Sequence, residues 1–401
     1  MRKILYTCSY GAPSSNSGGP NKIIMELIRN LDPNEFNMSY FSGHFEKFNL
    51  SKKDIDGLLN SNAGLRQNSR SFVYNKYKLY RSLVSSKFYL DFSLFKNKIK
   101  FQQKIGNISN IEILHSHDVL SFYYFKEINS LKILTIHSKG PARLDLQDYV
   151  GGRLFSHQVN RINDMELKAF QHSDFVTFPS QYAKELFLRL NRLDDSPKCK
   201  IIYNGIDQAE LDSISTPNSF LDTNKISKDY DLLILNIADH ISAKRIDRIL
   251  LVIKQLVYSK KMNPLFLNVG KGPQTDYLNE MVENYQIGNN VMLISDLEHS
   301  EIISLMKNFD VLLSLSERVI FDMVILEAMA CGMLVIASNE GGNKEIIKNG
   351  KNGYLVTTLE ECIETILNSD SKVSIEAKNT IEEFTREKMI AKYKALYDEI
   401  I

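Results

Sequence analysis

The sequence predicts an α/β protein built as two doubly wound domains, each a parallel sheet wrapped by helices. Three observations predict it. Apolar runs rich in Ile, Val and Leu alternate with amphipathic segments along the chain, which is the pattern of strands buried on both faces and joined by crossover helices. The runs fall into two groups. The first holds RKILYTC, MSYFSG, IEILHSH, LKILTIHS, DFVTFPS and KCKIIYN, and the second DLLILNIA, PLFLNVG, NVMLIS, DVLLSLS, MLVIAS and GYLV. Between the groups lies GIDQAELDSISTPNSFLDTNKISKDYD, rich in Ser, Asp, Asn and Thr and poor in periodicity, which reads as a linker. The boundaries that follow are an N-terminal Rossmann-like domain at 1–205, a linker at 206–229, a C-terminal domain at 230–384 and a last helix at 385–401. In such sheets ligands bind at the carboxyl ends of the strands, so a cleft between the two carboxyl edges is the expected site.

Composition narrows the function. The chain has 401 residues, a formal net charge of +1 and 43% hydrophobic residues, enough for real cores and without the field that nucleic acid would require. No apolar run approaches the about 18 residues needed to span a bilayer. The first run, RKILYTC, is short and reads as a strand, not a signal peptide. Cys8, Cys199, Cys331 and Cys362 are scattered without metal-ligand spacing and fit reduced thiols of a cytoplasmic protein. Abundant Lys, Asn and Ile is associated with AT-rich bacterial genomes.

Taken in order, each element has a local reason. After the first strand, SSNSGGPNKIIMELIRNL opens a helix at Gly18 and Gly19, where missing side chains let backbone approach a phosphate; a flexible turn is the alternative. Residues 66–104 break the rhythm, with ten lysines and arginines against one acid, Asp91, and interleaved aromatics such as Phe72, Tyr74, Tyr77 and Tyr80. That composition suits an anionic membrane surface, or aromatics packed inward beneath a solvated basic face. His137 ends LKILTIH at its carboxyl edge. His115 and His117 end IEILHSH, are expected on opposite sides of the sheet, and lack the acidic partner of a metal site. In the second half, SERVIFDMVILEAMACGMLVIAS reads as strand end, loop, helix and strand. A helix opening there aims unpaired N–H groups and its positive dipole end at a ligand, and Glu327, about one turn in, is placed to reach a ribose hydroxyl; an ordinary buried helix between two strands with a surface glutamate is the alternative. TREKMIAKYKALYDEII is a terminal amphipathic helix with Met389, Tyr393, Leu396 and Tyr397 on one side.

VILEAMACGMLVIAS followed by GGNKEIIKNGKNGYLV resembles the C-terminal signature of the retaining glycosyltransferases of family four, which have the two-domain GT-B fold. Further landmarks occur in the family's order: SGG, ILTIH, IIYNGID, AKRID and VGKGP. The resemblance implies a nucleotide diphosphate sugar as donor, a UDP-sugar foremost, with no cofactor and no metal. It implies that Lys244 neutralises the donor diphosphate with Arg245 assisting, that Glu327 holds the ribose, and that His137 lies near the donor sugar. It also implies backbone contacts from Gly19 and from Phe321, Asp322, Met323 and Val324, with Gly270 edging the base pocket; a plain turn at Gly270 is the alternative. Gly341, Gly342 and Glu345 match a further motif, read as shaping a helix start.

Two positions depart from the family. Its first glutamate, eight residues before Glu327, is here Val319, and its arginine, five residues before Lys244, is here Asp239. Glu317, Asp322 and Arg245 are the candidate substitutes. The expected function is therefore a retaining glycosyltransferase moving a sugar to a hydroxyl of a glycan or lipid-linked acceptor in bacterial surface polysaccharide synthesis. It is expected in the cytoplasm, with peripheral contact at the inner face of the cell membrane through 66–104 and no nucleic-acid partner. The alternatives are a non-catalytic GT-B protein that binds acceptor or activates a partner glycosyltransferase, and a nucleotide-sugar epimerase.

Overall fold

The computed structural model describes residues 1–8, 20–42, 110–138, 140–144, 156–214, 230–295, 297–370 and 372–399, and every structural statement below concerns these. Gly19 and the basic segment 66–104 lie outside them. The chain divides into two compact units: Met1–Pro179 with Ala183–Ile202 and Ile390–Ile401, and Ser180–Tyr182 with Tyr203–Met389.

The first unit holds β1 (Arg2–Cys8), β2 (Phe36–Ser42), β3 (Ile113–Ser116), β4 (Leu131–Thr135), β5 (Phe175–Phe178) and β6 (Cys199–Ile201). They form one sheet in the order β2-β1-β3-β4-β5-β6, each described pairing parallel. Its described helices are α1 (Pro20–Asn30), α2 (Val119–Phe125), α3 (Ser156–His172) and α4 (Gln181–Asn191), the last beginning in the short piece counted with the second unit. Asp118 caps α2 by accepting the Ser121 N–H at 2.8 Å, which ends β3 in a sharp turn at the carboxyl edge.

The second unit holds β7 (Leu232–Ile237), β8 (Pro264–Val269), β9 (Val291–Ile294), β10 (Val311–Ser314), β11 (Leu334–Ser338) and β12 (Tyr354–Val356), parallel and ordered β12-β11-β10-β7-β8-β9. Its helices are α5 (Gln208–Ser213), α6 (Ile246–Tyr258), α7 (Thr275–Asn284), α8 (His299–Met306), α9 (Met323–Ala330), α10 (Asn343–Ile346), α11 (Leu359–Asn368) and α12 (Lys372–Thr380). The terminal helix α13 (Arg386–Asp398) starts in this unit and from Ile390 is counted with the first. All twelve strands lie where the apolar runs place them. The runs were legible because a central parallel strand is covered on both faces: β3, β8, β10 and β11 are buried at every position.

Helix α6 shows how packing fixes an element near the site. Ile246, Ile249, Leu250, Val252, Ile253 and Leu256 are buried, spaced three and four apart on the face that packs on the sheet. Burying such side chains is worth about 1.5–3 kcal/mol each. Their sum far exceeds the roughly 1–2 kcal/mol cost of the left-handed conformation at the capping residue Arg245, whose φ is 50°.

The start of the expected linker is part of the second unit. Asp207 caps α5 through the Glu210 N–H, Leu211 is buried, and the Asp207 carboxylate pairs with Arg386 at the head of α13. On α13, Met389, Tyr393, Leu396 and Tyr397 are all buried.

Candidate active site

The loops that leave β7, β8, β9, β10 and β11 gather at the carboxyl edge of the second sheet. The turn after β7 carries Lys244 in a short 3-10 segment, Ser242–Lys244, just ahead of α6. It is tied to the β10 loop, since the Glu317 N–H donates to the Ala243 carbonyl at 2.8 Å. Lys244 is half-buried, and its ammonium makes no hydrogen bond or ion pair among the described residues. Arg245 differs. Its guanidinium donates to both oxygens of Asp247, at 3.3 and 3.2 Å, and to Glu317 at 2.5 Å. The expected assistance from Arg245 therefore meets a charge already shared between two carboxylates. Glu317, the candidate sugar contact, is held by the same pair, with Arg248 at 3.9 Å. A cavity of about 300 Å³ beside this turn is walled by Ser242, Arg245, Gln274, Tyr277, Glu317 and Arg318.

Helix α9 supplies the second group. Ile325, Leu326, Ala328, Met329 and Ala330 are buried around Glu327, which is itself 7% exposed. A carboxylate among apolar neighbours is costly unless something binds it. Here His299, the first residue of α8, brings Nε2 to 3.2 Å from Glu327 Oε1. Sequence reasoning missed His299. Its position at a helix start was visible in EHSE, where Glu298 and Glu301 form a capping box, but nothing in the spacing joined it to a residue on another helix.

Asp322 caps α9 by accepting the Val324 N–H at 3.2 Å. That uses the Val324 donor that was expected to face a ligand. The N–H groups of Phe321, Asp322 and Met323 make no hydrogen bond among the described residues. They therefore form, with the dipole of α9, an anion-attracting helix start. The Phe321 ring stacks on Tyr203 at 5.6 Å between centroids and tilts against Phe384 at 5.7 Å, which holds the loop rigid. Burial and the neighbouring Glu345 push the Tyr203 hydroxyl up to about 12.

Three glycines set the spacing of these loops. A Cβ on Gly341 would meet the Val319 carbonyl oxygen at 2.1 Å, and one on Gly342 would meet that of Ile320 at 1.9 Å. The Gly342 N–H also donates to Val319. The motif expected to shape a helix start thus holds the β10 loop by close backbone approach. The side chain of Val319 is buried, so where the family has a glutamate this chain has a packing residue. Asp239, by contrast, is exposed. Gly270 behaves similarly to the Gly341 pair. A Cβ there would lie 2.0 Å from the Ala238 carbonyl oxygen, and its N–H is taken by Ile294 at 2.8 Å. Gly270 contributes close packing of two loops, and its backbone donor is occupied.

The carboxyl edge of the first sheet carries a neutral cluster. His115 is fully buried between Tyr397 Oη, at 2.8 Å from Nδ1, and Thr135 Oγ1, at 2.7 Å from Nε2. His117 Nδ1 lies 3.0 Å from His137 Nε2. Burial lowers His115 to about 3, with help from His137; burial alone lowers His137 to about 4. Burial and both neighbouring imidazoles hold His117 well below the ordinary value. The expectation that His115 and His117 face opposite sides is overturned. Residues two apart along a strand share a face, and these rings sit 4.3 Å apart. Among the described residues no group of His, Cys, Asp or Glu is arranged to hold a metal ion.

Two six-stranded parallel sheets, one with a cation and a helix start at its carboxyl edge, define the GT-B class of fold. Comparison with known proteins places the chain within it. Its residues 17–210 match the family described as Glycosyltransferase Family 4, and residues 221–381 match Glycosyl transferases group 1. An uncharacterized glycosyltransferase of Methanocaldococcus jannaschii is 25% identical over 282 residues, 68% of this chain and 69% of that protein. The sucrose-phosphate synthase of Thermosynechococcus elongatus superposes with a TM-score of 0.73 at 17% identity, covering 100% of this chain and 99% of the other. Anabaena Alr3699/HepE, solved in complex with UDP-glucose, gives 0.69 at 16% identity with 100% of both chains covered. The chain belongs to the group 1, family-four glycosyltransferases and is a transferase. No helix among the described residues is long and apolar enough to cross a membrane.

Proposed function

We propose that this transferase takes a sugar from a nucleotide diphosphate sugar, a UDP-sugar foremost, and passes it with retention of configuration to a hydroxyl of a glycan or lipid-linked acceptor in bacterial surface polysaccharide synthesis. The observation that carries the reading is the contrast between two adjacent cations. Arg245 is saturated by carboxylates, while Lys244 meets none among the described residues. An ammonium held without a counter-ion beside a helix start is suited to an anionic ligand. The UDP-glucose complex of the HepE neighbour supports the choice of donor.

In this mechanism Lys244 and the N–H groups of Phe321, Asp322 and Met323 receive the diphosphate, and Glu327 accepts from the ribose hydroxyls. The acceptor oxygen attacks the anomeric carbon on the face that the diphosphate leaves. The bond from that carbon to the phosphate oxygen breaks, and the acceptor proton passes to the departing diphosphate. Negative charge grows on the leaving group as the bond breaks, so a fixed cation favours the transition state over the ground state. The first unit is proposed to receive the acceptor, and the basic segment 66–104 to lie on an anionic membrane surface at the inner face of the cell membrane. Loss of the family's sugar glutamate at Val319 and of its arginine at Asp239 is read as an altered donor pocket. A non-catalytic role that binds acceptor or activates a partner is the second reading, and Val319 and Asp239 are what favour it.

The test is incubation of the purified chain with UDP-, GDP- and ADP-sugars and candidate glycan acceptors, with the anomeric configuration of product and donor compared by NMR. Retained configuration with one donor supports the proposal. An inverted product removes the retaining mechanism, and absence of transfer with every donor favours the non-catalytic reading.

A further inference from the structure

The histidine cluster of the first unit contains a buried polar atom that nothing described so far uses. His117 is 1% exposed, and its Nε2 is sealed from solvent without a hydrogen-bond partner among the described residues. Its other nitrogen, Nδ1, faces His137 Nε2 at 3.0 Å, with the two rings stacked at 13°. Among the described residues the rings against the pair are His115 on β3 and Tyr6 on β1, both beside His117, while Tyr393 and Tyr397 of α13 pack on His115 behind them. None of them is a carboxylate or a cation. Burial keeps the imidazoles neutral near pH 7 and the tyrosines protonated, with Tyr6 and Tyr397 raised above their ordinary value.

Two neutral imidazoles in contact through one nitrogen each share a single proton across that contact, so one ring donates and the other accepts. If His117 accepted, its own proton would sit on Nε2 as a buried N–H with no acceptor. Orphaned buried N–H groups are rarer in folded proteins than under-used acceptor lone pairs. The opposite arrangement leaves only a bare lone pair at His117 Nε2. It also leaves His137 Nε2 as acceptor and moves the His137 proton to Nδ1. That Nδ1 makes no hydrogen bond among the described residues, and the ring is half-buried, so it is the nitrogen left to meet a ligand.

We propose that His117 is a positioning residue whose Nδ1–H donates to His137 Nε2 and thereby fixes His137 Nδ1 as a neutral N–H donor for a sugar oxygen met at the carboxyl edge of the first sheet. His137 then works by hydrogen-bonding a sugar oxygen and takes no proton from the acceptor. The tautomer stands on the cluster alone, whereas the sugar contact rests on the function proposed above.

The test uses the full chain labelled with ¹⁵N at its eight histidines, with ring nitrogens read by long-range ¹H–¹⁵N correlation at pH 7.5. His117→Asn and His137→Gln assign the two spin systems. The expected pattern is a protonated Nδ1 and a bare Nε2 on both rings. Protonation of His137 at Nε2, or at both nitrogens, would overturn the proposal. Once a donor is turned over, His117→Phe should lower kcat at least about tenfold with the nucleotide Kd unchanged. His117→Asn, which keeps a donor near the Nδ1 position, should restore kcat to near the parent value. Equal losses in both variants at equal Tm would contradict positioning through that proton. Absence of any turnover would sink the proposed enzymatic function, and the NMR pattern on the unaltered chain would still decide the tautomer.

Discussion

The two sheets of this protein share a parallel six-stranded plan, yet their carboxyl edges solve different electrostatic problems. The second sheet gathers charge there: Lys244, Arg245, Glu317 and Glu327 stand on loops and helix starts, each except Lys244 with an opposite or hydrogen-bonding partner shown. The first sheet gathers His115, His117, His137, Tyr6, Tyr393 and Tyr397, all held neutral by burial. The scaffold leaves the character of that edge open. Parallel strands bring loops to one edge in both cases. Whether that edge stabilises a charge or presents a neutral donor depends on solvent access and on what packs beside it.

The largest effect is expected at Lys244, whose ammonium has no partner among the described residues. Lys244→Ala should lower sugar transfer by about 10²–10³-fold, the usual cost of removing a group that meets charge developing in the transition state. Arg245→Ala should cost far less, because its charge is already neutralised in the resting protein. Rates of the two variants measured side by side check this, and equal losses would erase the distinction.

A smaller but clear effect is expected from the glycines beneath the β10 loop. A Cβ on Gly342 would sit 1.9 Å from the Ile320 carbonyl oxygen, and that oxygen belongs to backbone that must shift. Gly342→Ala should destabilise by about 1–3 kcal/mol, as overpacking does. That is a fall in Tm of roughly 2–4 °C per kcal/mol for a unit of this size, readable by calorimetry. Gly332→Ala is the control for space, since nothing lies within 4 Å of its Cβ position; its φ of +83° makes any loss there conformational.

Acid should distinguish the neutral edge from the charged one. Histidines with folded values of about 3 and 4, against 6.5 unfolded, bind fewer protons in the folded chain. Their contribution to stability is present above 6.5 and is lost as pH falls from there towards 4 and below. Tm should therefore decline through that window, and His137→Gln should flatten part of the decline; an unchanged slope would show that His137 titrates normally. The least change is expected for Tyr397→Phe, which removes the hydroxyl bonded to His115 and Tyr6 and should cost about 1 kcal/mol in thermal unfolding.

How much of this was legible in the sequence follows the same division. The strands were legible because burial on both faces writes continuous apolar runs. The placement of Lys244 just ahead of α6 and of Glu327 on α9 was legible because a helix start after a strand is a local signal. The pairing of Arg245 with Asp247 and Glu317 was not, since Glu317 is far along the chain and meets Arg245 only through the Ala243 turn. Gly270 and Gly341 carry no local mark separating ligand approach from close packing; the carbonyl each one faces decides it. The His115 environment was least legible of all, because Tyr397 lies 282 residues further along the chain. The error over the faces of His115 and His117 was of another kind, a misreading of a period the sequence did contain.

The proposed donor site of the second unit consists of Lys244, the start of α9 and Glu327. Calorimetric titration of UDP and UDP-sugars, with GDP and ADP as controls, into the protein and into Glu327→Ala tests it most directly. One-site binding of one nucleotide is expected, weakened about 10–100-fold in the variant, as loss of hydrogen bonds to a carboxylate implies. Binding of equal strength in Glu327→Ala, or no binding by a folded protein, would contradict it.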